Sequence, residues 1–118
     1  SSLPSTVDEP SRFTAIYFHA LHRCTTCKKI EAYAHDALKS EIEQRKLTWE
    51  VADYTSEKNK LIVNECKVFT STVVLVDRQD GQLVRWANLD DVWSHTDDPE
   101  GFAAFINNSW DKFQKASS

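Results

Sequence analysis

Nine consecutive residues, His19 to Cys27 (HALHRCTTC), contain two of the three cysteines and two of the four histidines of the chain. Cys24 and Cys27 form a Cys-x-x-Cys pair, which can close a reversible disulfide or hold a soft metal ion. A strand-like run precedes the pair and a helix-like run follows it. The first sulfur therefore faces the positive end of a helix dipole. The function of the chain depends on which of the two uses this pair has.

If the pair is redox-active, Cys24 is the nucleophile and Cys27, one turn into the helix, is the shielded resolving thiol. Only the thiolate attacks, and a free thiol is mostly protonated at neutral pH. The helix N-terminus and the neighbouring positive charges of Arg23, Lys28 and His22 are expected to lower the pKa of Cys24.

Two threonines lie between the cysteines. The hydroxyls of Thr25 and Thr26 could bond to the sulfurs, which would make the disulfide more oxidising, or they could cap the following helix. Both interpretations can hold together.

The rival hypothesis is a metal site that uses Cys24 and Cys27 with His22 and His19 as zinc or copper ligands. Four ligands within nine residues are compressed for a closed tetrahedral site, since strand and helix must converge on one point. For His19 alone, a histidine of the core or its rim is the favoured interpretation. Redox chemistry without a metal or organic cofactor is therefore the first hypothesis and metal binding the second.

Length and composition limit the class of protein. The 118 residues, of 13.5 kDa, suffice for one core but not for two ordinary domains. The net charge is −4 and the basic residues form no stripe, so we expect no nucleic-acid partner. No apolar run reaches the ~20 residues of a membrane helix. Three cysteines are too few for a disulfide scaffold.

The first eleven residues (SSLPSTVDEPS) are rich in serine and proline and are predicted to form a flexible lead-in. Such a segment often links an excised signal peptide or membrane anchor to a domain. We therefore expect an extracytoplasmic protein, periplasmic or secreted, in preference to a cytoplasmic one.

Residues 12–116 are predicted to form a single domain. Strand signals cover 12–18, 47–54, 72–77 and 82–87, and helical signals cover 27–45, 57–66 and the segment that begins at Asp98. Asp80-Gly81 predicts the turn of a hairpin. The order β-α-β-α-β-β-α predicts a four-stranded mixed sheet with helices on both faces. Strands separated by helices are expected to be parallel, and the hairpin to add an antiparallel edge.

This order resembles the thioredoxin fold over about residues 12–115. The run Cys24-Thr25-Thr26-Cys27-Lys28-Lys29-Ile30 is similar to the Cys-x-x-Cys-Lys-x-Ile run of that family. Asp53 at the end of the second strand and the strand TVVLVD also fit the family pattern. The resemblance implies a thiol–disulfide oxidoreductase without a cofactor, acting as a monomer on protein thiols or disulfides with an upstream redox partner.

The chain departs from the family at four places. No proline lies between Pro10 and Pro99, so the cis-proline that faces the cysteines in the family is replaced by Ser71 or Thr72. We expect a trans peptide there and a substrate loop at these two residues. The absence of the cis-proline would also leave more room for a metal ion beside the cysteines. Arg23, Phe18 and Ala32 stand where the family often has tryptophan, a buried aspartate and a kinking proline.

The remaining residues are assigned more ordinary roles. Cys66 is expected to be a small buried hydrophobic residue, and His35 and His95 surface residues. The tryptophans and phenylalanines are expected mainly in the core, with Trp93 the best candidate for an exposed aromatic that faces a partner. A third hypothesis is a non-catalytic interaction domain of the same fold.

Overall fold

The computed structural model describes residues 12–21 and 24–116. Its strands are β1 (Phe13–His19), β2 (Thr48–Asp53), β3 (Thr72–Gln79) and β4 (Gln82–Asn88). Its α-helices are α1 (Thr25–Glu43), α2 (Lys60–Glu65) and α3 (Pro99–Ala116), and two 3₁₀ helices cover Glu57–Asn59 and Asp90–His95. The predicted order of elements is therefore confirmed.

The strands form one mixed sheet in the order β2-β1-β3-β4. β1 and β2 are parallel, as the helix between them predicts, and β3 and β4 form the predicted antiparallel hairpin. Asp80 and Gly81 at its turn have φ angles of 56° and 78°, which match the turn that their sequence favours.

The predicted direction of β3 is wrong, because β3 runs antiparallel to β1 although helical residues separate it from β2. α2 has only six residues, or about 9 Å at 1.5 Å per residue. Such a helix is too short to carry the chain back along a strand. β3 therefore begins beside the end of β1, with Thr72 opposite Phe18.

Two hydrophobic clusters cover the two faces of the sheet. The first packs side chains of α1 and α3, such as Ile30 and Phe102, against Ala15 and Tyr17 of β1. The second packs residues from α2 and the loop after it, including Cys66, against the opposite face. The predicted α/β architecture with helices on both faces is thus confirmed. No helix in the described ranges is long and apolar enough to cross a membrane.

α1 begins two residues earlier than predicted. Thr25 and Thr26 lie in its first turn, and Cys24 is the N-cap with extended backbone angles. The expectation that the threonines cap the helix is therefore wrong, because the sulfur of Cys24 fills that position. α1 ends before Arg45, whose φ is 62°. Asp98, in contrast, caps α3 as predicted by accepting the Gly101 amide at 3.1 Å.

One aromatic prediction fails. Phe69 was assigned to the core but is 85% exposed in the loop between α2 and β3. Trp110 and Phe102 are buried as expected, and Trp93 is partly exposed. His35 is exposed and packs edge-on against Trp49.

A buried carboxylate in β3 binds two arginines, one near the start of the described chain and one that contacts α3 near its end. Asp77, in β3, is 1% exposed and accepts hydrogen bonds from Arg12 Nε at 2.7 Å and Nη2 at 3.0 Å. Arg85 lies 3.6 Å from the same carboxylate, donates to the Phe113 carbonyl at 2.6 Å and stacks over the Phe113 ring. The hydrogen bonds from Arg12 hold the pKa of Asp77 below its ordinary value.

We predict that Asp77→Asn lowers the free energy of unfolding by about 2 kcal/mol at neutral pH, because a buried charge pair is broken. Since folding lowers the pKa of Asp77, its contribution is full above the ordinary carboxyl range and is lost as the pH falls below about 4. Urea unfolding at pH 7 and pH 3 should therefore give a smaller difference between wild type and variant at pH 3.

The matched control is Glu50→Gln, because Glu50 pairs with Arg78 at 3.4 Å in an exposed ion pair. That variant should change the free energy of unfolding by less than about 1 kcal/mol. Equal losses from the two variants would contradict the assigned role of Asp77.

Candidate active site

Cys24 and Cys27 are joined by a disulfide at the start of α1, with their Cα atoms 5.0 Å apart. Cys24 is the N-cap residue, and its Sγ accepts the backbone N–H of Cys27 at 3.1 Å. The sulfur therefore takes the place of the side-chain oxygen that usually caps a helix. One sulfur thus lies directly at the positive end of the α1 dipole.

The two cysteines differ in accessibility. Cys24 is exposed, whereas Cys27 is 8% exposed and packs under the first turn of the helix. A partner can therefore approach the sulfur of Cys24 much more easily than that of Cys27. An attacking thiol has to be accessible and a resolving thiol shielded, and the roles predicted for Cys24 and Cys27 stay predictions.

A buried tyrosine fixes the backbone of the pair to the sheet. Tyr17, in β1, is fully buried and its hydroxyl donates to the Cys27 carbonyl at 2.8 Å. Tyr17 lies in a predicted strand, but this contact was not predicted, because the partners are ten positions apart in the sequence and only the fold brings them together. The bond fixes the start of α1 to the strand that precedes it.

Ser71 lies on the other side of the buried sulfur. Its Oγ is 3.3 Å from Cys27 Sγ, and both side chains are buried. Among the described residues no peptide bond is cis, so the expectation of a trans bond at Ser71 and Thr72 is confirmed. The loop before β3 therefore lies beside Cys27, as the resemblance to the thioredoxin fold implies.

Two further bonds brace this loop. Trp93 Nε1 donates to the Ser71 carbonyl at 2.8 Å, and Thr72 Oγ1 donates to Asn88 Oδ1 at 2.8 Å. The sequence predicts Trp93 as an exposed aromatic but not its bond to Ser71, because only the folded chain brings the two segments together. The Thr72 side chain is 1% exposed, so its visible role is to brace the loop.

Among the described residues, the structure shows no hydrogen bond between the predicted supporting side chains and the two sulfurs. Thr25 is exposed and Thr26 half-buried, and neither hydroxyl bonds to a sulfur within the part of the chain that the structure covers. Lys28 is exposed and lines a surface groove with Glu31 and Trp49. His22 and Arg23 lie outside the described residues.

His19, the last residue of β1, belongs to the rim of the sheet. Its ring stacks on Tyr17, with centroids 5.8 Å apart, and its Nδ1 donates to the Ala20 carbonyl at 2.7 Å. Its strand partner is Asp53. The Thr55 side chain and backbone bond to Asp53 and lower the pKa of that carboxyl, and His19 adds a smaller effect.

In the ranges 12–21 and 24–116, no group of three or more histidine, cysteine, aspartate or glutamate side chains is placed so that it could hold a metal ion. Of its four candidate ligands, Cys24 and Cys27 are joined to each other and His22 lies outside the described residues. The metal hypothesis therefore stays a prediction from sequence.

Cys66 is the third thiol and belongs to the core. It is fully buried in the second hydrophobic cluster, between α2 and the sheet, and burial raises its pKa to about 11. At neutral pH it is therefore protonated and shielded, as expected for a small hydrophobic residue.

No known family profile and no curated protein matches the chain. Among solved structures, it is similar to Trxlp from Edwardsiella tarda EIB202, with 21% identity, a TM-score of 0.50 and coverage of 90% of this chain and 93% of that one. Mitochondrial thioredoxin 3 from Saccharomyces cerevisiae in its oxidised form is 18% identical, with a TM-score of 0.48. The match covers 91% of this chain and 88% of that one.

The thioredoxin of Trypanosoma brucei brucei is 17% identical, with a TM-score of 0.47. The match covers 94% of this chain and 87% of that one. The similarity to Trxlp extends over nearly the whole of both chains, and it agrees with the sheet order and with a Cys-x-x-Cys pair that opens the first helix. The chain therefore has the thioredoxin-like fold.

Proposed function

We propose that the chain is a thiol–disulfide oxidoreductase that exchanges electrons with protein thiols or disulfides through Cys24 and Cys27. The observation that carries the proposal is the asymmetric disulfide at the α1 N-terminus, with one exposed and one buried sulfur. A disulfide that only stabilised the fold would need neither an exposed sulfur nor a helix dipole directed at it.

In the reduced protein, Cys24 is the nucleophile. Its thiolate is stabilised by the helix dipole and by the Cys27 amide that already bonds to its sulfur. It attacks one sulfur of a substrate disulfide, forms a mixed disulfide and releases the first substrate thiolate. Arg23, Lys28 and His22 are proposed to add positive potential.

Cys27 completes the exchange. Its thiolate attacks the Cys24 sulfur, the bond between Cys24 and the substrate breaks, and the second substrate thiolate leaves. Two electrons have then passed to the substrate and the Cys24–Cys27 disulfide remains. The reverse sequence oxidises a substrate dithiol, and neither direction needs an organic cofactor.

Exposed apolar side chains around the site suit a protein substrate. Leu21, in the loop before Cys24, is 76% exposed, and Phe69, two residues before Ser71, is 85% exposed. Such side chains on both loops offer contact area to a polypeptide. Location outside the cytoplasm, the monomeric state and the identity of an upstream redox partner stay predictions from sequence.

We predict that Cys27→Ser traps a mixed disulfide between Cys24 and a substrate, because no resolving thiol remains to release it. Reduced variant protein is mixed with a disulfide-containing protein such as insulin and analysed by non-reducing mass spectrometry. A covalent adduct should accumulate that reducing agent removes. Wild type should give free substrate thiols and little adduct.

The matched controls are Cys24→Ser, which should form no adduct, and Cys66→Ala, which should behave as wild type. Trapping through Cys66, or equal trapping with and without Cys24, would contradict the assigned nucleophile.

A second prediction concerns the rates of alkylation of the three thiols. In the reduced, folded protein, iodoacetamide should modify Cys24 first, since it is exposed and lies at the helix N-terminus. Cys66 should stay unmodified, because it is buried and its pKa is raised to about 11. Peptide mass spectrometry over a time course gives the order.

The Cys24 rate should follow an apparent pKa below that of a free thiol, and in denaturant the three rates should converge. A folded protein in which Cys24 reacts no faster than an unfolded thiol would favour a non-catalytic interaction domain.

A further inference from the structure

The loop before β3 presents a hydroxyl group to the buried sulfur. Ser71 Oγ lies 3.3 Å from Cys27 Sγ, and these side chains are 2% and 8% exposed. A disulfide sulfur carries no hydrogen, so Ser71 is the donor. The serine is thus directed at the resolving sulfur and not at the one that a partner reaches.

The strength of this bond depends on the state of Cys27. A disulfide sulfur is a weak acceptor, whereas a thiolate carries a full charge and accepts strongly. Burial disfavours a thiolate, and Cys27 is the more buried member of the pair. A donor already in place opposes that effect when the charge forms, with little reorganisation.

The position of the serine is itself fixed. Trp93 donates from Nε1 to the Ser71 carbonyl at 2.8 Å, and Val92 beside it is fully buried in the main core cluster. On the following residue, Thr72 is bonded to Asn88 of β4. The hydroxyl therefore stays close to the sulfur without help from solvent.

We propose that Ser71 is a positioning residue for the resolving step, held in place by Trp93, and this inference rests on the proposed function. In that step the Cys27 thiolate attacks Cys24 Sγ within the mixed disulfide. The Cys24–Cys27 bond forms, the bond from Cys24 to the substrate sulfur breaks, and the substrate leaves as a thiolate. The Ser71 hydroxyl stabilises the attacking thiolate and keeps its sulfur beside Cys24.

The test follows both steps in one reaction. Reduced protein is mixed in a stopped-flow instrument with dithiobis-nitrobenzoate, a disulfide that releases one coloured thiolate when Cys24 attacks and a second when Cys27 resolves the adduct. Wild type should release two thiolates per protein, in two phases of equal amplitude when the reagent concentration makes the first attack faster than the second step. Ser71→Ala should slow the second phase about tenfold, as expected for a lost hydrogen bond to a charged sulfur, and should slow the first phase much less.

Two more variants test the details. Ser71→Thr keeps the hydroxyl and should restore the second phase. Trp93→Phe keeps an aromatic ring but loses the N–H donor, and it should slow the second phase by less than Ser71→Ala. Ser94→Ala, at an exposed position next to Trp93, is the matched control and should change neither phase.

The outcomes separate the two proposals. A wild-type protein that releases only one thiolate per molecule would overturn the proposed function itself. Two normal wild-type phases with a Ser71→Ala second phase equal to wild type would overturn only the role of Ser71. Equal slowing of both phases in Ser71→Ala would assign the serine a purely structural role and would also overturn the inference.

Discussion

The hydrogen bond from the Cys27 amide to the Cys24 sulfur, at 3.1 Å, is the interaction on which the site depends. It makes the Cys24 sulfur part of the helix cap, so the first turn of α1 places that sulfur at the positive end of the helix dipole. The same geometry buries Cys27 one turn later while Cys24 stays exposed. The start of α1 and the proposed chemistry therefore depend on the same few atoms.

The sheet supplies the groups that surround this cap. Tyr17 reaches the Cys27 carbonyl from β1, and Ser71 reaches the Cys27 sulfur from the start of β3. These two strands meet at this edge because β3 runs antiparallel to β1, with Thr72 opposite Phe18. The short α2 helix, which cannot carry the chain back along the sheet, thus determines which loop faces the cysteines.

Local patterns made much of this structure predictable. Periodicity and turn residues predicted the elements, and the resemblance to the thioredoxin fold predicted that the loop before β3 lies opposite the Cys-x-x-Cys pair. The errors came from effects that a local pattern does not contain. The sulfur of Cys24, and not Thr25 or Thr26, caps α1. The direction of β3 depends on the length of α2. Phe69 lies in an exposed loop, because an aromatic side chain alone does not ensure burial. The bond from Trp93 to Ser71 joins segments that only the folded chain brings together.

In the proposed function, the Cys24–Cys27 disulfide is a redox couple and not a structural bridge. Equilibration of the protein in glutathione or dithiothreitol buffers, with the two states separated by thiol labelling and mass, measures its potential directly. We expect one reversible two-electron transition between about −270 and −120 mV, the range of thioredoxin-fold catalysts. A disulfide that resists reduction to below about −300 mV, as structural disulfides do, would contradict it.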